Sequence, residues 1–173
     1  MMAILSVVAL LRAVNVGGIG SLAMADLKAI CEAIGFQAVR TYIASGKVVF
    51  RTSLSTTEAT AVLEARLQSH AGRPMGVVMR TAAEMADVLA RNPFADTPGN
   101  RVTALFMDHA ALPAMLDGMT GRAPDETVQL GHREIYIRYG GGLGLSKLRI
   151  PAARTGTARN MNTVAKLAAM SAS

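Results

Sequence analysis

The first 80 residues alternate between short apolar runs and helical stretches, in an order that limits the fold. Residues 4–11 are apolar almost throughout, which is typical of a strand in the middle of a sheet. A helix follows, with Ser21 as its predicted N-cap and Gly35 at the position that ends it. Residues 36–43 and 47–52 then predict two strands joined by a short hairpin.

A second helix and a further strand complete this pattern. Ser55 and Glu58 have the spacing of a capping box, and residues 75–80 predict a fourth strand. The resulting order, β-α-β-β-α-β, is that of the ferredoxin-like plait. We therefore predict an α+β fold in which residues 1–80 form one ferredoxin-like unit.

The remaining residues repeat the alternation less regularly. Thr81 and Glu84 form another capping box, and Asp108 is positioned to cap a short helix. Further predicted elements are strands at residues 101–107, 127–130 and 133–139 and a last helix at residues 158–170. Residues 81–173 are therefore predicted to form a second α/β plait with a basic C-terminal segment. Because no Pro- or Ser-rich linker separates the halves, we expect two associated or interleaved ferredoxin-like units in one compact body.

The single cysteine, Cys31, shares helical spacing with Leu27, Ile30 and Ile34, so its thiol is predicted to be buried. One cysteine cannot form a disulfide within the chain or a cysteine-based metal site. The apolar N-terminus lacks the basic region of a signal peptide, and no apolar run is long enough to cross a membrane. These features favour a reduced, cytoplasmic location and no membrane partner.

The positive charge of the chain is concentrated near its end. The net charge is +6, and residues 1–131 hold equal numbers of basic and acidic side chains. Residues 132–173 contain one acidic residue, Glu134, and seven basic ones: Arg133, Arg138, Lys147, Arg149, Arg154, Arg159 and Lys166. This asymmetry indicates an anionic partner for the segment, or a solvated basic face without a specific ligand.

Four short motifs of this chain match a pattern known from bacterial sequences. In that pattern the first strand ends in LLRGINVGG, a strand pair reads TYIQSGNVVF, and the region near the C-terminus contains Gly-x-Gly-x-Ser-Lys-Leu and Thr-x-Arg-Asn-Trp-Asn-Thr-Val. This chain matches at Leu10, Leu11, Arg12, Asn15, Val16, Gly17 and Gly18, at Thr41, Tyr42, Ile43, Ser45, Gly46, Val48, Val49 and Phe50, at Ser146, Lys147 and Leu148, and at Thr157, Arg159, Asn160, Asn162, Thr163 and Val164. By these motifs the chain resembles a bacterial family, the domain of unknown function 1697.

The chain departs from these motifs at four positions. Ala13 replaces Gly, Ala44 replaces Gln, Lys47 replaces Asn and Met161 replaces Trp. The changes at the hairpin remove neutral hydrogen-bonding groups. The resemblance implies a pair of ferredoxin-like plaits in a cytoplasmic bacterial protein, and it implies no reaction.

A glycine-rich loop at residues 140–147 is the leading candidate for an anion site. Its order differs from a Walker loop, because Ser146 precedes Lys147, but backbone N–H groups could still form a nest for an anion. The predicted ligands are Gly142, Gly144, Ser146, Lys147, Arg154, Arg159 and Asn160. The alternative is a flexible loop whose charges only solubilise the protein.

Two turns are secondary candidates for an anion site. They contain Arg12, Asn15, Gly17 and Gly18 after the first strand, and Ser45, Gly46 and Lys47 in the hairpin. The alternatives are a turn that needs glycine and a tight turn with a lysine on an edge strand. We expect the first and third strands to run parallel, which would separate the two turns by about 20 Å and prevent a shared site.

The sequence does not indicate a reaction. The three histidines are scattered, no metal-ligand spacing is present, and no cofactor is predicted, so whether the protein is an enzyme stays open. The best hypothesis is binding of a phosphate-bearing small molecule. One alternative is a non-specific binder of the nucleic-acid backbone, although the first strand has no aromatic residue and the third offers only Phe50 for base stacking. Another is a protein-interaction or regulatory module, which rests only on the eleven methionines.

Overall fold

The computed structural model describes residues 3–12, 22–42, 46–141 and 146–172. The chain divides into two compact units. The first comprises Met1–Met85 with Leu167–Ser173, and the second comprises Ala86–Lys166. The predicted division at residue 80, and the single compact body, stay predictions.

The first unit contains one antiparallel sheet with strand order β2-β3-β1-β4. Its elements, in chain order, are β1 (Leu5–Leu11), α1 (Met24–Ile34), β2 (Gln37–Thr41), β3 (Lys47–Thr52), α2 (Thr56–Ala71) and β4 (Val77–Thr81). This is the order β-α-β-β-α-β read from the sequence.

The direction of β3 differs from our expectation. β1 pairs with β3 antiparallel, and Leu10 lies opposite Lys47. Because β3 is antiparallel to both β1 and β2, the strands β1 and β2, which α1 connects, run in the same direction. The expected parallel arrangement is therefore wrong, and the end of β1 lies at the same end of the sheet as the start of β3.

The helices of this unit cover one face of the sheet. Val7, Ala9 and Phe50 from the sheet are fully buried in one cluster with Leu27 of α1 and Leu63 of α2. Removing such side chains from water is the main favourable contribution to folding. The rings of Phe36 and Phe50 stack within this core, with centroids 4.0 Å apart, so neither offers a platform for nucleic-acid bases.

The helix ends confirm part of the sequence analysis. Ser55 and Glu58 form the predicted capping box at the start of α2. Gly35 ends α1 in the left-handed conformation, with φ of 107°. The predicted Ser21 cap is wrong, because α1 begins at Met24 with Ala23 in the N-cap position and without a side-chain cap. Ser21 itself lies outside the described residues.

The second unit contains another four-stranded antiparallel sheet, with order β6-β7-β5-β8. The elements that follow β4 are α3 (Ala82–Ala90), β5 (Val102–Phe106), β6 (Thr127–Leu130), β7 (Glu134–Arg138), β8 (Thr157–Asn160) and α4 (Met161–Ala172). Short 3₁₀ turns at Pro113–Leu116 and Pro151–Arg154 connect β5 to β6 and β7 to β8. The predicted α+β class is confirmed.

Two predicted helices of this half differ in the structure. The helix expected after Asp108 is only the 3₁₀ turn that begins at Pro113, whose ring favours a first helical position. The last helix begins at Met161, not at residue 158, because Thr157–Asn160 pairs with β5 as β8. The side chain of Asn160 then accepts a hydrogen bond from the N–H of Thr163, which caps α4.

A β-bulge interrupts β2, the edge strand of the first sheet. The pairing with β3 shifts between Gln37 and Arg40, and Ala38 takes a φ of 51°. A residue with a Cβ is disfavoured in this left-handed region, whereas glycine adopts it readily. The bulge twists the edge and so disfavours pairing with another chain.

We expect Ala38→Gly to raise the free energy of unfolding by up to about 1 kcal/mol, because relief of strain exceeds the added flexibility of the unfolded chain. Denaturant unfolding followed by circular dichroism measures this change. Ala61→Gly, at an exposed position inside α2, is the matched control and should cost about 1 kcal/mol. Equal destabilisation by both changes would contradict the account.

We expect Cys31 to be unreactive in the folded protein. The residue is fully buried, and burial, with the charge of Glu32 as a smaller cause, raises the pKa of its thiol to about 12. Because the thiolate is the nucleophile, reaction with a disulfide reagent at pH 8 should require unfolding. Reaction rates measured with and without denaturant test this, and equal rates would show that the thiol is accessible.

Candidate functional site

Three basic residues, Lys147, Arg149 and Arg154, lie on one segment of the second unit, which backbone hydrogen bonds hold in place. The N–H and carbonyl groups of Arg149 pair with those of Thr120, over 2.8 and 3.0 Å. Gly121 has a φ of 73°, and a Cβ there would lie 2.1 Å from the carbonyl oxygen of Lys147. Glycine at this position therefore allows the two backbones to approach closely. The hydroxyl of Ser146 accepts the N–H of Leu148 over 3.1 Å, which fixes the start of the segment.

A groove of about 580 Å³ lies along this segment. We call it the basic groove, and its lining residues are Gly118, Leu148, Arg149, Ile150, Pro151, Ala153 and Arg154. Leu148 and Ile150 also contact the hydrophobic cluster on this face of the second sheet, so the apolar wall is anchored. Arg149 and Arg154 are exposed. The groove therefore combines an apolar wall with two guanidinium groups.

Positive charge dominates the described part of the groove. Lys147 and Arg149 are two residues apart on an extended segment, so their side chains project to the same side. The described lining residues include two arginines and no acidic residue. The acidic residue nearest to them in the sequence is Asp117, which precedes Gly118. Gly142 and Gly144, the predicted backbone donors, lie outside the described residues.

Strand alternation separates Arg159 from this groove. Ala158 of β8 lies opposite Leu105, whose side chain belongs to the same cluster as Ile150. Arg159 is the next residue, so its side chain lies on the other face of the sheet. There it donates hydrogen bonds to Thr157 Oγ1, over 2.6 Å, and to the carbonyl oxygen of Ala158, over 3.0 Å. Burial lowers the pKa of the Arg159 guanidinium.

The predicted anion ligands therefore divide into two groups. The structure brings Ser146, Lys147 and Arg154 to one segment beside the basic groove. It places Arg159 on the opposite sheet face and uses the side chain of Asn160 to cap α4. Arg149 was expected only as part of the charge excess and not as a ligand. The alternation of Lys147, Leu148 and Arg149 was the signal that could have identified it.

Two other basic residues of the C-terminal excess make contacts inside the second unit. Arg133 donates a hydrogen bond to the carbonyl oxygen of Asp108, over 3.2 Å. Arg138 donates to Thr127 Oγ1, over 3.3 Å, and its guanidinium lies 5.8 Å from the centre of the Phe94 ring. Part of the charge asymmetry is therefore structural, and the exposed basic side chains of this segment are Lys147, Arg149, Arg154 and Lys166.

The secondary candidates lie in the first unit. Among them, the structure describes Arg12, Gly46 and Lys47, whereas Asn15, Gly17, Gly18 and Ser45 lie outside the described residues. Lys47 is only 4% exposed and lies on β3, an inner strand, so the interpretation as an edge lysine is wrong. The expectation that the two turns lie at opposite ends of the sheet is also wrong, because β1 and β3 are antiparallel.

Other kinds of site find little support among the described residues. In these ranges, no group of three or more His, Cys, Asp or Glu side chains is placed to hold a metal ion. The described helices are also too short or too polar to cross a membrane. His70 and His132 lie 3.9 and 3.8 Å from the exposed carboxylates of Asp26 and Asp87, as surface pairs.

Comparison with known proteins identifies a family and a similar fold. A family model described as "Protein of unknown function (DUF1697)" matches residues 4–136. A solved structure, the conserved bacterial protein SP0830 from Streptococcus pneumoniae, is similar with a TM-score of 0.81 and 23% sequence identity. The similarity covers 98% of this chain and 99% of that one. No match is found among the curated proteins.

These matches bear differently on the two sets of candidate residues. Arg12, Gly46 and Lys47 lie within the region that the family model matches, whereas the basic groove lies beyond residue 136 except for Gly118. The similarity to the streptococcal protein supports the fold of the whole chain. Since the family model spans residues 4–136, the chain belongs to the DUF1697 family, whose function is unknown.

Proposed function

We propose that the protein binds a phosphate-bearing small molecule in the basic groove. The observation that carries this proposal is the pair of exposed arginines, Arg149 and Arg154, in a concave surface with an apolar wall. Guanidinium groups bind phosphate oxygens through paired, charge-assisted hydrogen bonds. Arg149 and Arg154 would hold the phosphate, and Leu148, Ile150 and Pro151 would contact the less polar part of the molecule.

The size and rigidity of the groove support this assignment. Its volume of about 580 Å³ lies within the range of small-molecule sites, roughly 300–1,000 Å³. The backbone pairing of Arg149 with Thr120 fixes the segment before a ligand arrives, which lowers the entropic cost of binding. Ser146 lies in the chain just before the lining residues, and its hydroxyl keeps a proton to donate while its oxygen accepts the N–H of Leu148. Gly142 and Gly144 stay predicted backbone donors.

Binding to the nucleic-acid backbone is a second candidate function. Its supporting observation is that Lys147, Arg149 and Arg154 are all exposed along one segment. Such charges attract phosphates of any sequence, and their affinity falls steeply with salt. A protein-interaction surface has less support, because Met75, Met79, Met85, Met107 and Met161 are all buried.

We also propose that the protein works in the cytoplasm. Its lone cysteine is buried and forms no disulfide within the chain, which suits a reducing compartment. The proposed phosphate-bearing ligand suits this compartment too, where such metabolites are abundant.

We expect Arg149→Ala combined with Arg154→Ala to weaken binding of inorganic pyrophosphate at least tenfold, because both guanidinium groups contact the anion. Isothermal titration calorimetry at constant ionic strength measures the affinity. The matched control, Lys28→Ala with Arg66→Ala, removes two exposed positive charges from the first unit and should change the affinity less than twofold. Equal losses of affinity in both double variants would show that only the net charge of the protein matters, which would contradict a specific site.

Fluorescence anisotropy with labelled single-stranded RNA of mixed sequence separates the two candidate functions. If the groove is a small-molecule site, we expect negligible binding at about 50 mM salt as well as at about 200 mM. Binding at the lower salt that collapses at the higher, and that is lost in the Arg149→Ala, Arg154→Ala variant, would favour the nucleic-acid backbone instead.

A further inference from the structure

Three chain segments meet at one end of the first sheet. The N–H of Leu11 donates to the carbonyl oxygen of Gly46, and the N–H of Arg12 donates to the carbonyl oxygen of Gly76, each over 2.9 Å. Arg12 thereby continues the ladder between β1 and β4 by one residue, beyond the pair Leu11 and Val77. The end of β1, the start of β3 and the start of β4 therefore converge at this sheet end.

The same face of this sheet carries three cationic side chains. Leu10 lies opposite Lys47 on β3, and Arg12 follows Leu10 by two residues, so both cations lie on the face of Leu10. Arg80 lies on this face as well, opposite Val8. Lys47 is 4% exposed and Arg80 is 1% exposed. Arg80 donates a hydrogen bond to the carbonyl oxygen of Met79, over 3.0 Å, and the Lys47 ammonium lies 5.9 Å from the centre of the Tyr42 ring.

Arg12 is the member of this group that reaches the surface. Its guanidinium lies over Gly76, where a Cβ would come within 1.9 Å of Nη2, so glycine makes room for it. Its Nε is buried and has no hydrogen-bond partner among the described residues. No described carboxylate lies within ion-pair distance of Arg12. The carboxylate of Glu64 accepts the N–H of Val77, the residue after Gly76, over 2.9 Å.

We propose that this sheet end is a second binding site, which takes a single oxyanion group, a phosphate or a carboxylate. A buried guanidinium nitrogen without a hydrogen-bond partner, such as Nε of Arg12 among the described residues, is costly, and an oxyanion held by the same guanidinium offsets that cost. The outer nitrogens of Arg12 contact the anion, and Gly76 leaves the space that the guanidinium occupies. This site is independent of the basic groove and lies within the region matched by the family model.

Amide NMR spectra can follow the two sites separately in the full chain. Titration with inorganic phosphate, and in a second arm with acetate, at constant ionic strength should shift the signals of Leu11, Arg12 and Gly76. Shifts with phosphate alone would identify a phosphate group, and shifts with acetate alone a carboxylate. If these signals move with neither anion, the proposal is overturned.

Substitutions connect the shifts to Arg12. We expect Arg12→Gln to raise the apparent Kd from these signals at least tenfold, whereas Arg66→Gln, an exposed control on α2, should leave it within twofold. Should Arg12→Gln fail to fold, Gly76→Ala keeps the charge but displaces the guanidinium, and it should weaken binding similarly. An unchanged Kd in the folded variant would overturn the proposal.

The groove variant separates this inference from the proposed function. In the protein carrying Arg149→Ala and Arg154→Ala, the signals of Leu11, Arg12 and Gly76 should still shift with an unchanged Kd. Their loss in that variant would assign all anion binding to the basic groove and overturn the second site. Shifts of the amide signals of Thr120 and Arg149 in the wild-type protein report binding in the groove, independently of the signals from the sheet end.

Discussion

The antiparallel pairing of β1 with both of its neighbours fixes the geometry of the first unit. It places Val7 and Ala9 in the core beneath the helices, and it places Val8 and Leu10 on the opposite face with Lys47 and Arg80. Shifting β1 by one residue would exchange these two sets, because side chains alternate along a strand. The convergence of Arg12, Gly46 and Gly76 at one sheet end follows from the same pairing.

In the second unit, register decides which basic residues can act together. β8 pairs with β5 so that Ala158 lies on the face of the hydrophobic cluster, and Arg159 lies on the other face. The segment before β8 joins that cluster through Leu148 and Ile150. Arg149 and Arg154 are therefore presented on a different surface from Arg159, although only four residues lie between Arg154 and Arg159.

Several features that depend on residues close together in the sequence were predicted correctly. The capping box at Ser55, the left-handed Gly35 and the buried Cys31 depend on neighbours within one helix, and the structure confirms them. Residues 158–160 have helical character, but pairing with β5 makes them strand, and sequence spacing does not report that pairing. The candidate sites were predicted incompletely for the same reason, since the position of Arg159 depends on register and that of Arg12 on strand direction.

We propose that strand pairing separates two anion sites, one in the basic groove and one at the sheet end beside Arg12. Anomalous diffraction from crystals grown with tungstate, a heavy analogue of phosphate, would locate both sites. We expect one peak within hydrogen-bond distance of Arg149 and Arg154 and another beside Arg12. Absence of both peaks, or a peak bound to Arg159 instead, would contradict it.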